Sequence, residues 1–348
     1  VLANGFLSKC QIIEIKSWQI EQAITMFNSL NSTGMPLSDA DIISAHLFSH
    51  ASNKDEFKGI WEPIIQSADK LAQNKIINID NVLQQFMYIN RSKERQYSEG
   101  ELTTPGVRKY YTVLYPELLE TPDTLCDKFS KILRIWDKIQ SYSIVKLMMK
   151  FNENFKLFLI SYLFRVPEDE ITESNITPIV ECLLRLFALL EVGDYSYSSR
   201  YFKTFLFNEN FKLVDEAYKI EGILEDFNKH ISSTWKEEDV LTDLMEYDKN
   251  ILVYLNEYLY AKEHKKPFDF TPEKVNVEHI MPASGHNIES VRVNANLSKE
   301  EFEDLVNLLG NKILLEEDIN KHIGMDWFQT KKGTLVQDKK GYVGSSFG

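Results

Sequence analysis

From about residue 60 onward, apolar positions recur at the spacing of a helix. "VLQQFMYI", "DKFSKILRIWDKI", "ITPIVECLLRLFALL" and "DKNILVYLNEYLYAKEH" each place apolar residues at i, i+3, i+4 and i+7, one face of a 3.6-residue period. Turn chemistry such as "VPEDEITESN" and "LFNENF" separates them, and no stretch repeats, which predicts an irregular helical domain over 61–268 rather than a solenoid. Near 268 the texture changes. "KKPFDFTPEK" reads as a Pro-containing linker, and "VNVEH" alternates like a strand before Pro282 interrupts it. One helix is predicted next: Ser298 and Glu301 form an S-x-x-E capping box, Phe302, Leu305, Val306 and Leu309 an inner stripe, and Gly310 the stop. "NKILL" reads as a second strand. "EEDINKHIG" reads as a short helix with acids in its first turn and a glycine stop. The pattern predicts a mainly α chain with a small strand-and-helix module over 269–348.

Residues 1–60 are less regular. "CQIIEI" reads as a strand, and Ile20, Ile24 and Phe27 share a helical face. Asn31 to Pro36 is turn chemistry, with Gly34 supplying φ freedom. Ser38 is an N-cap three residues before Asp41, a variant of the capping box. The expected order is helix, turn, helix.

Composition narrows the function classes. The chain has 348 residues, 43% of them hydrophobic and 12% aromatic, enough to bury two or three cores. A formal charge of −13 opposes nucleic-acid binding by the whole surface and leaves room for a local basic face. Cys10, Cys126 and Cys182 form no CxxC pair, so neither a zinc knuckle nor a disulfide framework is indicated, which suits a reducing cytoplasm. Charges interrupt the most apolar stretches, Glu181 and Arg185 within "IVECLLRLFALLEVG", so no membrane span is expected. The chain opens on "VLANG" without a methionine and is read as a fragment of a longer protein.

One pair does not fit a bland strand. Glu278 and His279 stand side by side near the end of the first one, followed in order by Asn311 and by Asn320, nine residues further on in "NKILLEEDIN". Hydrolysing a phosphodiester calls for a base of near-neutral pKa and a hard cation, and this order supplies an imidazole and oxygen donors. It resembles the HNH, or His-Me finger, nuclease motif, in which two strands and a helix fold around one divalent metal. More widely, "EHIMP", "LLGNKILL…IN" and "WFQTKK" resemble the C-terminal half of GmrSD-type modification-dependent restriction enzymes (domain of unknown function 1524). Phe27, Asn31, Gly34, Leu37 and Asp41 match the F-x-x-x-N-x-x-G-x-x-L-x-x-x-D pattern that ends their N-terminal half (domain of unknown function 262).

The resemblance implies specific roles. His279 would be the base. Asn311 would bond the backbone carbonyl of His279 and orient the ring. Glu278 and Asn320 would hold one Mg²⁺ or Mn²⁺, with His322 a rival ligand. It implies a mainly α fold, an irregular helical domain followed by a ββα-metal (HNH-like) module, with residues 1–60 as the end of the family's N-terminal domain. The implied activity is a metal-dependent DNA endonuclease of a phage-defence, modification-dependent restriction system, acting on DNA with modified bases. The family's D-G-Q-Q-R nucleotide motif is absent, so nucleotide handling would come only through an N-terminal region outside this chain. Homo-oligomerisation or association with that domain is compatible with the family. The 32-residue span from His279 to Asn311 is long for the motif, and the capped helix fills it.

Three basic groups are candidates for phosphate contact. Lys321, Lys331 and Lys332, with Lys339 and Lys340, give the tail a local positive charge. Arg91, Lys93 and Arg95 in "RSKERQY", and Arg108 and Lys109 in "VRKYY", interleave with aromatics as DNA-contacting stretches do. The competing class is a non-catalytic DNA- or protein-binding helical module with a degenerate nuclease site. RNA as substrate also stays open, because this mechanism does not need the 2′-hydroxyl.

Overall fold

The computed structural model describes residues 38–93, 106–196, 200–271, 274–324, 328–333, 341–342 and 345–347, with 16, 19, 22 and 25–26 besides. The N-terminal strand, the shared face of Ile20, Ile24 and Phe27, and the Asn31–Pro36 turn fall outside these residues. The described chain is mainly helical with one two-stranded sheet. It divides into two compact units, one from residues up to 87 together with 106–133, the other from 88–93 together with 134 onward.

In the first unit, α1 (Asp39–His50) starts as its sequence demands. Ser38 Oγ accepts from the Asp41 N–H at 3.1 Å, and the Asp41 carboxylate accepts from the Ser38 N–H at 3.2 Å. Lys54, opening α2 (Lys54–Gln73), donates to the carbonyls of Ser49 at 2.8 Å and Ala51 at 2.9 Å, satisfying groups that the end of α1 leaves free. The core centres on Phe129 of α4 (Pro122–Ile139), whose ring meets Trp61, Tyr111 and Phe86 of α3 (Ile79–Arg91) edge-on. Tyr111 lies in a wide turn over Tyr110–Leu114, and its buried hydroxyl donates to the Leu83 carbonyl at 2.9 Å.

The second unit is organised by α7 (Glu173–Val192), which packs against α5 (Ser143–Met148), α6 (Phe155–Phe164), α9 (Ile220–Thr234) and α10 (Glu237–Met245). The charges that interrupt its apolar run sit on one edge and are spoken for. Arg185 donates to Asn228 Oδ1 at 2.7 Å, and Glu181 accepts from the Tyr258 hydroxyl at 2.6 Å and from Lys262, both on α11 (Ile251–Glu263). The run is a core helix with a polar edge. Among the described residues no helix is long and apolar enough to cross a membrane. α8 (Phe205–Lys212) completes this part of the unit.

The C-terminal elements belong to the same unit. β1 (Val275–His279) pairs antiparallel with β2 (Lys312–Glu316), Val275 opposite Glu316 and His279 opposite Lys312. Between them the sequence predicts one helix and the structure has two, α12 (Ile288–Asn294) and α13 (Lys299–Val306). α12 has seven residues and buries only Val291, too little periodicity to read. Val291, Phe302 and Val306 make a small core with Met281, Ile288 and Leu297. The capping box of α13 forms as predicted, but the helix ends at Val306, short of Gly310, and Leu305 is 42% exposed rather than part of an inner stripe. A single 3₁₀ turn, Leu309–Asn311, then leads into β2.

α14 (Glu317–Ile323) packs on both strands, and Gly324 at φ +54° ends it, a left-handed position suited to glycine. α11 lies against β2. α15 (Phe328–Gly333) and the segment around Tyr342 close the module: Leu315 and Ile323 pack with Ile319 and Tyr342, and Ser345 and Ser346 donate to the Glu316 carboxylate. Removing the α13 cap by Ser298→Ala should cost about 1 kcal/mol, read as a lower urea midpoint; an unchanged midpoint would contradict the cap's role.

Candidate functional site

Neighbours on a strand point to opposite faces, and the end of β1 uses both. Glu278 is turned inward, 7% exposed. Its Oε1 accepts from Lys331 Nζ at 2.5 Å and from the Tyr342 hydroxyl at 3.1 Å. His279 is half-buried, and its backbone carbonyl accepts from the same Lys331 Nζ at 3.0 Å. The next two residues are held by Asn311. The Ile280 N–H donates to its backbone carbonyl at 2.9 Å, and the Met281 N–H to its side-chain oxygen at 2.7 Å. Asn311 Nδ2 donates in turn to the carbonyls of Met281 at 2.9 Å and Val306 at 2.8 Å.

This differs from the sequence reading in one respect. Asn311 was expected on β2 with its side chain on the carbonyl of His279. It instead sits in the 3₁₀ turn just before β2. Because the register sets Lys312 opposite His279, Asn311 lies one step beyond, and its amide reaches Met281. Lys331 takes the His279 carbonyl. The asparagine still fixes the strand end, two residues later than expected.

The electrostatics disfavour protonation of the imidazole. Burial pulls the pKa of His279 below its ordinary value, the ammonium of Lys312 pulls the same way and so, more weakly, does Lys331, while Glu278 opposes them. A neutral imidazole has a lone pair with which to take a proton. Lys312 is itself buried, which lowers its pKa, and its ammonium donates to the Asp248 carbonyl. Burial, then the Glu278 charge, raises the Tyr342 phenol, so it stays a donor.

The expected metal ligands fare differently. Asn320 is on α14, half-exposed, and no hydrogen bond among the described residues links its side chain to Glu278 or His279. Its amide oxygen suits a hard cation that keeps several waters. Glu278 is already engaged in this arrangement: its charge is compensated by a buried lysine, and Oε1 receives two donors. Among the described residues no group of three or more His, Cys, Asp and Glu side chains could hold a metal ion. His322 is exposed on the same helix, and His286 is exposed in the loop after β1.

The basic candidates also separate. Lys331 is 1% exposed and so is no surface contact for phosphate. Arg91 is likewise buried, its guanidinium 4.6 Å from the centre of the Phe207 ring. Lys321 is exposed and paired with Glu317 at 2.5 Å, Lys332 is exposed near the Phe328 ring, and Lys93 and Lys109 are exposed. Arg108 pairs with Asp39 at 3.1 Å. Arg95, Lys339 and Lys340 lie outside the described residues. Sequence reasoning missed Tyr342 and Lys312; an isolated tyrosine and a strand lysine carry no local signal of burial.

A short antiparallel strand pair covered by a helix, with a half-buried histidine at its edge, forms a small module at the C-terminal end of a mainly helical chain. Residues 201–343 match the family model for GmrSD restriction endonucleases, C-terminal domain. The match bears out the resemblance read from "EHIMP", "LLGNKILL" and "WFQTKK" and gives the segment a restriction-endonuclease-related role. No curated protein matches the chain.

Asn311→Ala would leave the Met281 N–H and carbonyl and the Val306 carbonyl without partners. At about 1–3 kcal/mol for each buried group left unsatisfied, the variant should lose roughly 3 kcal/mol or more, measured by urea unfolding. A loss below about 1 kcal/mol would show that the clamp is replaceable by water.

Proposed function

We propose that the C-terminal module is an HNH-type endonuclease that hydrolyses phosphodiester bonds of DNA, in a phage-defence restriction system directed at modified bases. The observation that carries this reading is the end of β1. Burial and Lys312 lower the pKa of His279 there, and the backbone around it is held by Asn311 and Lys331, inside a segment that matches a restriction-endonuclease family.

In the proposed reaction the imidazole of His279 takes a proton from a water as that water's oxygen bonds to phosphorus. The bond from phosphorus to the 3′-oxygen breaks in line with the attack, leaving a 5′-phosphate and a 3′-alkoxide. The alkoxide takes a proton from solvent to become the 3′-hydroxyl, while the imidazolium returns its proton to solvent. General-base assistance of this kind contributes about 10²–10⁴-fold. Asn311 keeps the strand end rigid, so that little reorganisation is needed at the moment of transfer. Lys321 and Lys332 would contact the DNA backbone. A divalent ion, Mg²⁺ or Mn²⁺, bound on the Asn320 side would add positive charge at the phosphate.

The compensated Glu278 also favours a second reading, a DNA- or protein-binding module with a degenerate nuclease site. Plasmid cleavage separates the two. The enzyme reading expects cleavage of modified or unmodified plasmid with Mg²⁺ or Mn²⁺ to stop in excess EDTA. It also expects His279→Ala to lose at least ~100-fold in rate, with the circular dichroism spectrum and DNA binding unchanged. Full activity of His279→Ala would falsify the assignment of the base, and cleavage that survives chelation would remove the metal from it.

A further inference from the structure

The end of β1 is held by a residue that takes no part in the proposed proton transfer. Lys331 lies on α15, 52 residues beyond His279, and is 1% exposed. A fully buried ammonium is tolerated only where its charge and its hydrogens are met. Lys331 meets both at one point, donating to Glu278 Oε1 at 2.5 Å and to the His279 carbonyl at 3.0 Å. Tyr342, from further along the tail, donates to the same Oε1 at 3.1 Å. Together with Asn311, these contacts fix the polar groups of four consecutive positions: the side chain of residue 278, the carbonyl of 279, the N–H of 280, and the N–H and carbonyl of 281.

We propose that Lys331 is a positioning residue for His279, and that Glu278 is its counter-ion rather than a metal ligand. Through these bonds the C-terminal tail sets the backbone from which the imidazole projects. The inference rests on the nuclease reading for its kinetic test and stands without it for its structural one. Two alternatives give opposite results. If Lys331 merely filled space, a methionine of similar length would serve as well. If it blocked a metal site at Glu278, removing its charge would tighten metal binding and raise activity.

The test compares the full chain as wild type, Lys331→Met, Lys331→Arg, Glu278→Gln and the double variant Glu278→Gln/Lys331→Met. The double variant removes both charges and guards against a single variant that fails to fold. Plasmid cleavage is measured against DNA and Mg²⁺ concentration, and rates are expressed per folded molecule. Lys331→Met and the double variant should lose on the order of 10–100-fold in kcat, by analogy with groups that orient metal ligands, with KM for DNA and half-saturating Mg²⁺ unchanged. Lys331→Arg should recover part of the loss, since it restores the donors. Glu278→Gln should lower kcat without changing half-saturating Mg²⁺. In parallel, the His279 ring resonance, assigned in ¹³C-histidine-labelled protein by its loss in His279→Ala, should shift or broaden in Lys331→Met.

An unmoved resonance together with wild-type kcat in Lys331→Met overturns the positioning role and leaves the nuclease reading intact. Higher activity or tighter Mg²⁺ dependence in that variant overturns it in favour of a blocking role. A shifted resonance in a protein whose His279→Ala variant cleaves normally supports the structural contact and overturns His279 as the base.

Discussion

The register of two five-residue strands is the constraint on which the rest of the C-terminal module depends. Side chains alternate strictly along a strand, so a slip of one residue would turn Glu278 outward and His279 inward. An isolated strand pair is barely stable in water, and this one needs cover on both faces. Leu314 and Leu315, neighbours on β2, are 2% and 1% exposed, so both faces are covered, with α11 and α14 packed on the sheet. The register is locked at its working end by polar groups as well. Asn311 clamps Met281 just past the last pair, and Lys331 meets Glu278 inside.

That lock has an energetic oddity. A buried ion pair stabilises less than its Coulomb energy suggests, because both charges must leave water, and an apolar pair of the same volume is often as stable. What it supplies here is direction. The pair sits on the inner face of β1, and the same ammonium reaches the carbonyl of His279. Lys312, opposite His279, adds a second cation that disfavours protonation of the ring. Fold and candidate chemistry therefore meet in the same few hydrogen bonds.

How much of this could be read in the chain follows from the range of each interaction. The long helices, both capping boxes and both strands were legible because their signals are local: periodicity, a serine three residues before an acid, a glycine stop. The seven-residue α12 was not, having too few turns to show a period, and the end of α13 was misplaced because Gly310 serves the following 3₁₀ turn. Glu278, His279 and Asn311 were found by their order along the chain, and the structure brings them to one strand end. The partner of Asn311 came out two residues away, since that depends on register. Lys331 stood out as basic, yet a buried lysine and a surface lysine look alike until a carboxylate 53 residues away is known to face it. Asn320 was named from the resemblance to the nuclease motif, and α14 carries it half-exposed.

The central claim is that the imidazole at the end of β1 faces the phosphate to be cut. A crystal structure of the protein with a duplex carrying a non-hydrolysable phosphodiester, grown with Ca²⁺, tests it most directly. The account expects a ring nitrogen of His279 to lie within about 3 Å of a water aligned on the phosphorus opposite the 3′-oxygen. Density that seats the duplex on another face, with His279 bonded only to protein, would contradict it.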